Sequence, residues 1–245
     1  MPVNRPGPVT VWRKIGTRIR RRGFGEVLGL AVDRVRELVA SEERLIAHVL
    51  AAGELTATST PEDLVFKTGD PGDGPVYARD IGTESATTFR SRLTGSTLCF
   101  LVLKDGLIVH ATWGTFSSAW TRELQRYFCP PPGDLYVFES YTRPEVRGRG
   151  VYTFALRRIA EWAADQGTSR LWVTVEHDNP PSLKAVAKAG FIPAFEVSFK
   201  RRLGRLTVDP PVGPGAGDCK GCLSETPCPG EKFPQGGSGG HLTKP

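Results

Sequence analysis

Apolar and polar positions repeat with two different periods along this chain, and the change from one to the other marks out the elements. Leu98 to Leu103 and Leu107 to Trp113 read as strands around Lys104-Asp105-Gly106, and Asp-Gly flanked by apolar runs predicts a hairpin. Leu135 to Phe138 and Leu171 to Val175 are short apolar runs of strand length, as are Leu45 to Leu50 and Ala194 to Lys200. Between them the period becomes helical. Phe154, Leu156, Ile159, Ala160 and Ala163 share a face of a helix predicted over 151–166 and stopped by Gly167, and Pro180-Pro181 opens a shorter helix that ends at Gly190. Helices are also predicted over 80–93, over 26–39 and, from Trp120, Leu124 and Phe128 at four-residue spacing, over 116–128. Thr56 to Gly74, rich in Thr, Pro, Asp and Gly, reads as a loop.

The chemistry concentrates where the 135–138 strand meets the 151–166 helix, in Arg147-Gly148-Arg149-Gly150-Val151. Glycines let backbone approach an anion, the first N–H groups of a helix lack partners within it, and the helix dipole places positive charge there. Arg147 and Arg149 add full charges. A dinucleotide-binding turn needs a third glycine where Thr153 stands, and a P-loop needs Gly-Lys-Ser/Thr, which the chain lacks.

Arg147, Gly150, the approach Pro144-Glu145-Val146, and Asn179, Ser182, Lys188, Gly190 and Phe191 downstream together resemble the Gcn5-related N-acetyltransferases (GNAT). The resemblance covers roughly 45–200. It implies an α/β fold with a mixed sheet flanked by helices, acetyl-CoA as co-substrate, and direct transfer of an acetyl group to an amine. It carries cofactor contacts onto Tyr141, Thr142, Arg147, Gly148, Arg149, Gly150, Val151, Tyr152 and Asn179. Tyr152 departs from the small residue of the family turn.

Acetyl transfer needs a neutral amine, stabilisation of the oxyanion and a proton for the leaving thiolate. The resemblance puts oxyanion stabilisation on backbone N–H groups of Ser140 to Thr142. Base candidates are Glu139 and Asp134, then Glu145, each of which could equally be structural. Where the family carries a tyrosine general acid this chain has Val186, so Tyr141 or Tyr152 stands in, or the thiolate leaves to solvent. Two other readings stay open: an acyl-CoA-binding module that has lost transfer, and an aminoacyl transferase of the cell envelope.

Composition refines this picture at the ends. With 245 residues and 39% hydrophobic content, the chain holds one domain of ordinary size, expected over 41–206. No apolar run is long enough to cross a membrane and the start lacks the apolar segment of a signal peptide, so the expectation is a cytoplasmic protein. Residues 1–40 read as a basic helical hairpin. Within 9–22, Arg13, Lys14, Arg18 and Arg20 to Arg22 flank Trp12, Ile15 and Ile19, a pattern that fits an anionic membrane surface or a helix packed on the domain, and nucleic acid is not expected. The Pro, Gly and Ser content of 207–245 predicts a disordered tail. Five cysteines do not suggest a disulfide framework, and although Cys219, Cys222, Cys228 and His241 can be drawn around zinc, the spacing favours free thiols and no metal.

Overall fold

The structure is a computed structural model, and it describes residues 40–53, 63–203, 205–218 and 221–228. The basic stretch 9–22, the helix expected over 26–39, Cys219 and His241 lie outside the described residues. By internal contacts the chain forms two units.

The larger unit, 44–198 with 209–245, is built on a sheet of seven strands. They are β1 (Ala40–Ala51), β2 (Val65–Thr68), β3 (Thr97–Lys104), β4 (Leu107–Thr115), β7 (Leu135–Thr142), β8 (Arg170–Glu176) and β9 (Ile192–Arg202), ordered β9-β1-β8-β7-β4-β3-β2. The pairs β1 with β8, β2 with β3, β3 with β4 and β4 with β7 are antiparallel, and β7 with β8 is parallel. The β3–β4 hairpin turns as expected, Asp105 and Gly106 taking φ of 51° and 77°, the left-handed pair that a two-residue hairpin loop requires. Helices α1 (Gly74–Asp80), α2 (Ala86–Arg92), α3 (Val151–Asp165) and α4 (Pro180–Lys188) complete the frame.

The core divides accordingly. Leu156, Ile159 and Ala163 of α3 pack with Val186 of α4, Leu135 and Val137 of β7, and Val173 and Val175 of β8. Tyr77 and Phe89 of α1 and α2 pack with Cys99, Leu101, Ala111 and Trp113 of the β3–β4 hairpin.

Four expectations are corrected. The helix read over 80–93 is confined to α2, since α1 ends at Asp80, Gly82 takes φ 68° and returns its N–H to the Tyr77 carbonyl, and Ser85 then caps α2 by accepting from Thr88 N. The loop read over 56–74 contains β2. The helix read over 116–128 is the hairpin of β5 (Ala119–Thr121) and β6 (Arg126–Phe128), with Gln125 at φ 48° in its turn; burial alternates along β5, leaving Trp120 out between buried Ala119 and Thr121. Finally, the stretch read as a disordered tail with free thiols is structured over 207–218 and 221–228. Strand β11 (Leu223–Ser224) pairs with β6, Val212 bridges Glu196, Cys129 and Cys228 form a disulfide, and Cys222 is itself disulfide-bonded. Its glycines serve close approach, since a Cβ on Gly213 would lie 2.6 Å from the Ala194 carbonyl oxygen.

In the smaller unit, 1–43 with 199–208, strand β10 (Arg205–Val208) pairs antiparallel with the end of β9, Arg205 opposite Arg202 and Val208 opposite Phe199.

Candidate active site

The site begins with a failure of strand pairing. β7 runs beside β8 only from Leu135 opposite Leu171 to Val137 opposite Val173. Against β4, Phe138 pairs with Trp113 and Tyr141 with Ala111, which leaves Glu139 and Ser140 together opposite Thr112. This is a bulge, and Glu139 sits in it at φ 48°, a conformation unusual outside glycine. Among the described residues, no strand lies beyond the bulge on the edge of β7 that faced β8. A cavity of about 1380 Å³ opens there, lined by 138–142 of β7, 173–176 of β8, the first turn of α3, part of α4 and the β5–β6 hairpin.

At one end of the cavity stands the glycine turn. Gly148 and Gly150 take φ of 74° and 81°, Gly150 is the N-cap residue of α3, and no side chain caps that helix. Arg147 donates from Nε to the Thr142 carbonyl at 2.9 Å and its guanidinium lies over the Tyr141 ring at 5.8 Å, so its two terminal nitrogens remain for an anion. Asn179 caps α4, its Oδ1 accepting from Ser182 N at 3.3 Å. Tyr141, Thr142, Arg147, Gly148, Gly150, Val151, Tyr152 and Asn179 all line the cavity, and Arg149 does not.

At the other end are Tyr136 and Phe138 of β7, Thr174 of β8, Arg92 of α2 and the hairpin residues Trp120 to Glu123. Burial pushes the Tyr136 phenol up to about 12 despite its bond to Thr174 Oγ1 at 2.7 Å, so it stays protonated. Of the base candidates, Glu139 lines the cavity and pairs with Arg92 at 2.7 Å, and Arg92, also bonded to Glu84, lies over Trp113 at 4.1 Å. Asp134 does not line it. Its carboxylate is 1% exposed and accepts from Trp172 Nε1 at 2.7 Å and Arg170 Nε at 2.9 Å, joining the start of β7 to β8. Burial raises its pKa against those two donors, and its position makes it a structural group. Glu145 pairs with Arg143 away from the cavity lining. Val186 is fully buried in the α3–α4 core and does not face the cavity.

Sequence reasoning missed a buried polar layer beneath the bulge. Thr112 Oγ1 donates to the Phe138 carbonyl at 3.3 Å and shares a 2.5 Å contact with Ser140 Oγ, which in turn bonds the Tyr152 hydroxyl. In the Thr112–Ser140 and Ser140–Tyr152 contacts either hydroxyl can be the donor. The Tyr152 ring lies 5.5 Å from that of His110, whose Nδ1 is 2.7 Å from Thr142 Oγ1. His110 is fully buried, which lowers its pKa to about 3 and keeps it neutral. Its alternation with Thr112 along an otherwise apolar strand was the signal available.

A mixed sheet that splays at a bulge in front of an uncapped helix N terminus defines a class of folds that holds a phosphorylated ligand between strands. Residues 83–191 match the model of the acetyltransferase (GNAT) family. Among solved structures, a GCN5-related N-acetyltransferase from Sphaerobacter thermophilus matches with TM-score 0.51 and 14% identity over 71% of this chain and 56% of its own. A putative GNAT acetyltransferase from Novosphingobium aromaticivorans matches with TM-score 0.46 and 19% identity over 64% and 63%, and a GCN5-related N-acetyltransferase from Kribbella flavida with 0.46 and 16% over 77% and 64%. The chain thus spans less than two thirds of the length of these structures, and at such identities the first speaks for the fold alone. None of the curated proteins matches the sequence.

Proposed function

We propose that the protein transfers an acetyl group from acetyl-CoA directly to an amine within a ternary complex. The observation that supports this best is the splay of β7 from β8 immediately before the uncapped start of α3. The pyrophosphate is assigned to the N–H groups of α3's first turn and to Arg147, where dipole and charge act together. The unpaired edge of β7 offers backbone groups to the pantetheine amides, and the Asn179 side-chain NH2 is a further donor. The thioester is assigned to the bulge, with backbone N–H groups of Ser140 to Thr142 as the source of oxyanion stabilisation.

The amine enters from the half lined by Tyr136, Phe138, Glu139 and the β5–β6 hairpin. Glu139, the carboxylate within the bulge and paired with Arg92 at 2.7 Å, is assigned as an anchor for the ammonium of the acceptor. With Val186 buried away from the cavity and the Tyr152 hydroxyl engaged with Ser140, the thiolate is assigned to leave to solvent, which is tolerable for a thiol of ordinary pKa near 8.5. The same absence of a poised acid favours a second reading, in which acyl-CoA binding persists and transfer does not.

Thiol release from acetyl-CoA, followed with and without a panel of primary amines, separates the two. Amine-dependent release supports transfer, and tight binding without it supports the binding module. Binding of charged tRNA in place of acetyl-CoA would move the assignment to aminoacyl transfer. For residues 9–22 the proposed partner is an anionic membrane surface: sedimentation with anionic but not neutral vesicles, fading as salt screens charges over about 8 Å, is expected, and equal sedimentation with both would refute it.

A further inference from the structure

The wall of the acceptor half is held from outside the cavity. Ala119, Trp120 and Thr121 of β5 and Arg122 and Glu123 of its turn line the cavity, while β11, on the far edge of β6, contributes nothing to the lining. β11 nevertheless completes that small sheet: Leu223 pairs with Phe128, Ser224 with Tyr127, and Cys129 N donates to the Cys222 carbonyl at 2.7 Å. Arg126 is 3.0 Å from Glu225. Cys228 ties both ends of the hairpin, its carbonyl accepting from Ser117 Oγ at 3.4 Å just before β5 and its sulfur bonded to Cys129 just after β6.

We propose that Leu223–Cys228 is a positioning segment for the acceptor wall, and that the Cys129–Cys228 disulfide determines whether it stays docked. Without the segment, β5 and β6 are a two-stranded hairpin, which is marginal in water, whereas three strands with an apolar face are stable. On the side of the large sheet the hairpin is held by Phe128, its ring 4.2 Å from that of Tyr136, and by the fully buried Leu124 of its turn, while β11 supplies its third strand. The disulfide closes a sequence separation of 99, so its loss returns large conformational freedom to the segment. In the chemical step a dithiol reduces the bond: the S–S bond breaks, the two sulfurs take up two electrons and two protons as thiols, and the dithiol becomes its cyclic disulfide. The naming of this wall as the acceptor side rests on the transferase reading; the wall's dependence on the disulfide does not.

The test is hydrogen exchange by mass spectrometry on the full chain, before and after dithiothreitol, and on a C129S/C228S variant in which the other cysteines remain. Peptide mapping of unreduced protein should recover Cys129 joined to Cys228. On reduction, amides of 119–128 should exchange about tenfold faster or more while those of 152–160 in α3 do not change, and acetyl-CoA affinity by calorimetry should stay within about twofold. Free thiols at both positions, unchanged exchange over 119–128, or an equal rise in α3 would each overturn the proposal. Should acetyl-CoA fail to bind the oxidised protein, the transferase reading falls and the exchange data still decide this one.

Discussion

Replacing Arg147 with alanine tests the phosphate assignment most directly, because the structure says what the side chain does without a ligand. One nitrogen holds the Thr142 carbonyl and the guanidinium lies over Tyr141, both on an exposed residue. The folded protein should therefore lose little, about 0.5–1 kcal/mol, the net worth of an ordinary hydrogen bond. A charge-assisted bond to pyrophosphate is worth about 1.5–3 kcal/mol, which converts to roughly a 10- to 150-fold rise in Kd for acetyl-CoA. Calorimetry should give that loss together with a shallower salt dependence. Acetyl-pantetheine, which lacks the pyrophosphate, is the control and should bind wild type and Arg147→Ala alike. A Kd for acetyl-CoA within about twofold of wild type, or an equal loss for acetyl-pantetheine, would refute the placement of the phosphates.

Gly150→Val places a β-branched residue at φ 81°, which should cost about 1–3 kcal/mol in thermal unfolding, and it closes the backbone approach, so acetyl-CoA affinity should fall at least about tenfold. Asp134→Ala strands the buried Trp172 N–H and the Arg170 guanidinium; denaturant unfolding should show a loss of about 2–4 kcal/mol, whereas kcat at a temperature where the variant is folded should match wild type, against the expectation for a general base. His110 is neutral in the folded chain and titrates near 6.5 once unfolded, so its contribution is complete above pH 6.5 and is lost as pH falls towards 3. Unfolding free energy should carry a slope of about 1.4 kcal/mol per pH unit in that window, and His110→Gln should remove it.

The parts of this fold legible in the sequence are those whose signal is local. Asp105-Gly106 specifies its own turn, the apolar face of 151–165 shows its own period, and Asn179-Pro180-Pro181 carries its own cap and first turn. The glycine turn was readable for the same reason, since its residues act through their own backbone. What escaped depends on partners far along the chain. Trp120, Leu124 and Phe128 repeat at helical spacing, yet Phe128 is drawn into a sheet by Tyr136 and by Leu223, nearly a hundred residues on. The Pro- and Gly-rich composition after 207 misled because Gly213 and Gly215 answer to the crowding of Ala194 and Phe195, and Cys228 to Cys129. Asp134 stood at a suggestive distance before Arg147, but only the fold shows that Trp172 and Arg170 already occupy its oxygens.

The bulge at Glu139 and Ser140 connects these features into one mechanical argument. An extra residue in β7 ends its alignment with β8, which opens the cavity, and it also sets the hydroxyls of Ser140 and Thr142 against Thr112 and His110. A tyrosine at the helix start, which crowds the turn by its size, is accommodated by setting its ring beside that of His110, 5.5 Å between centroids.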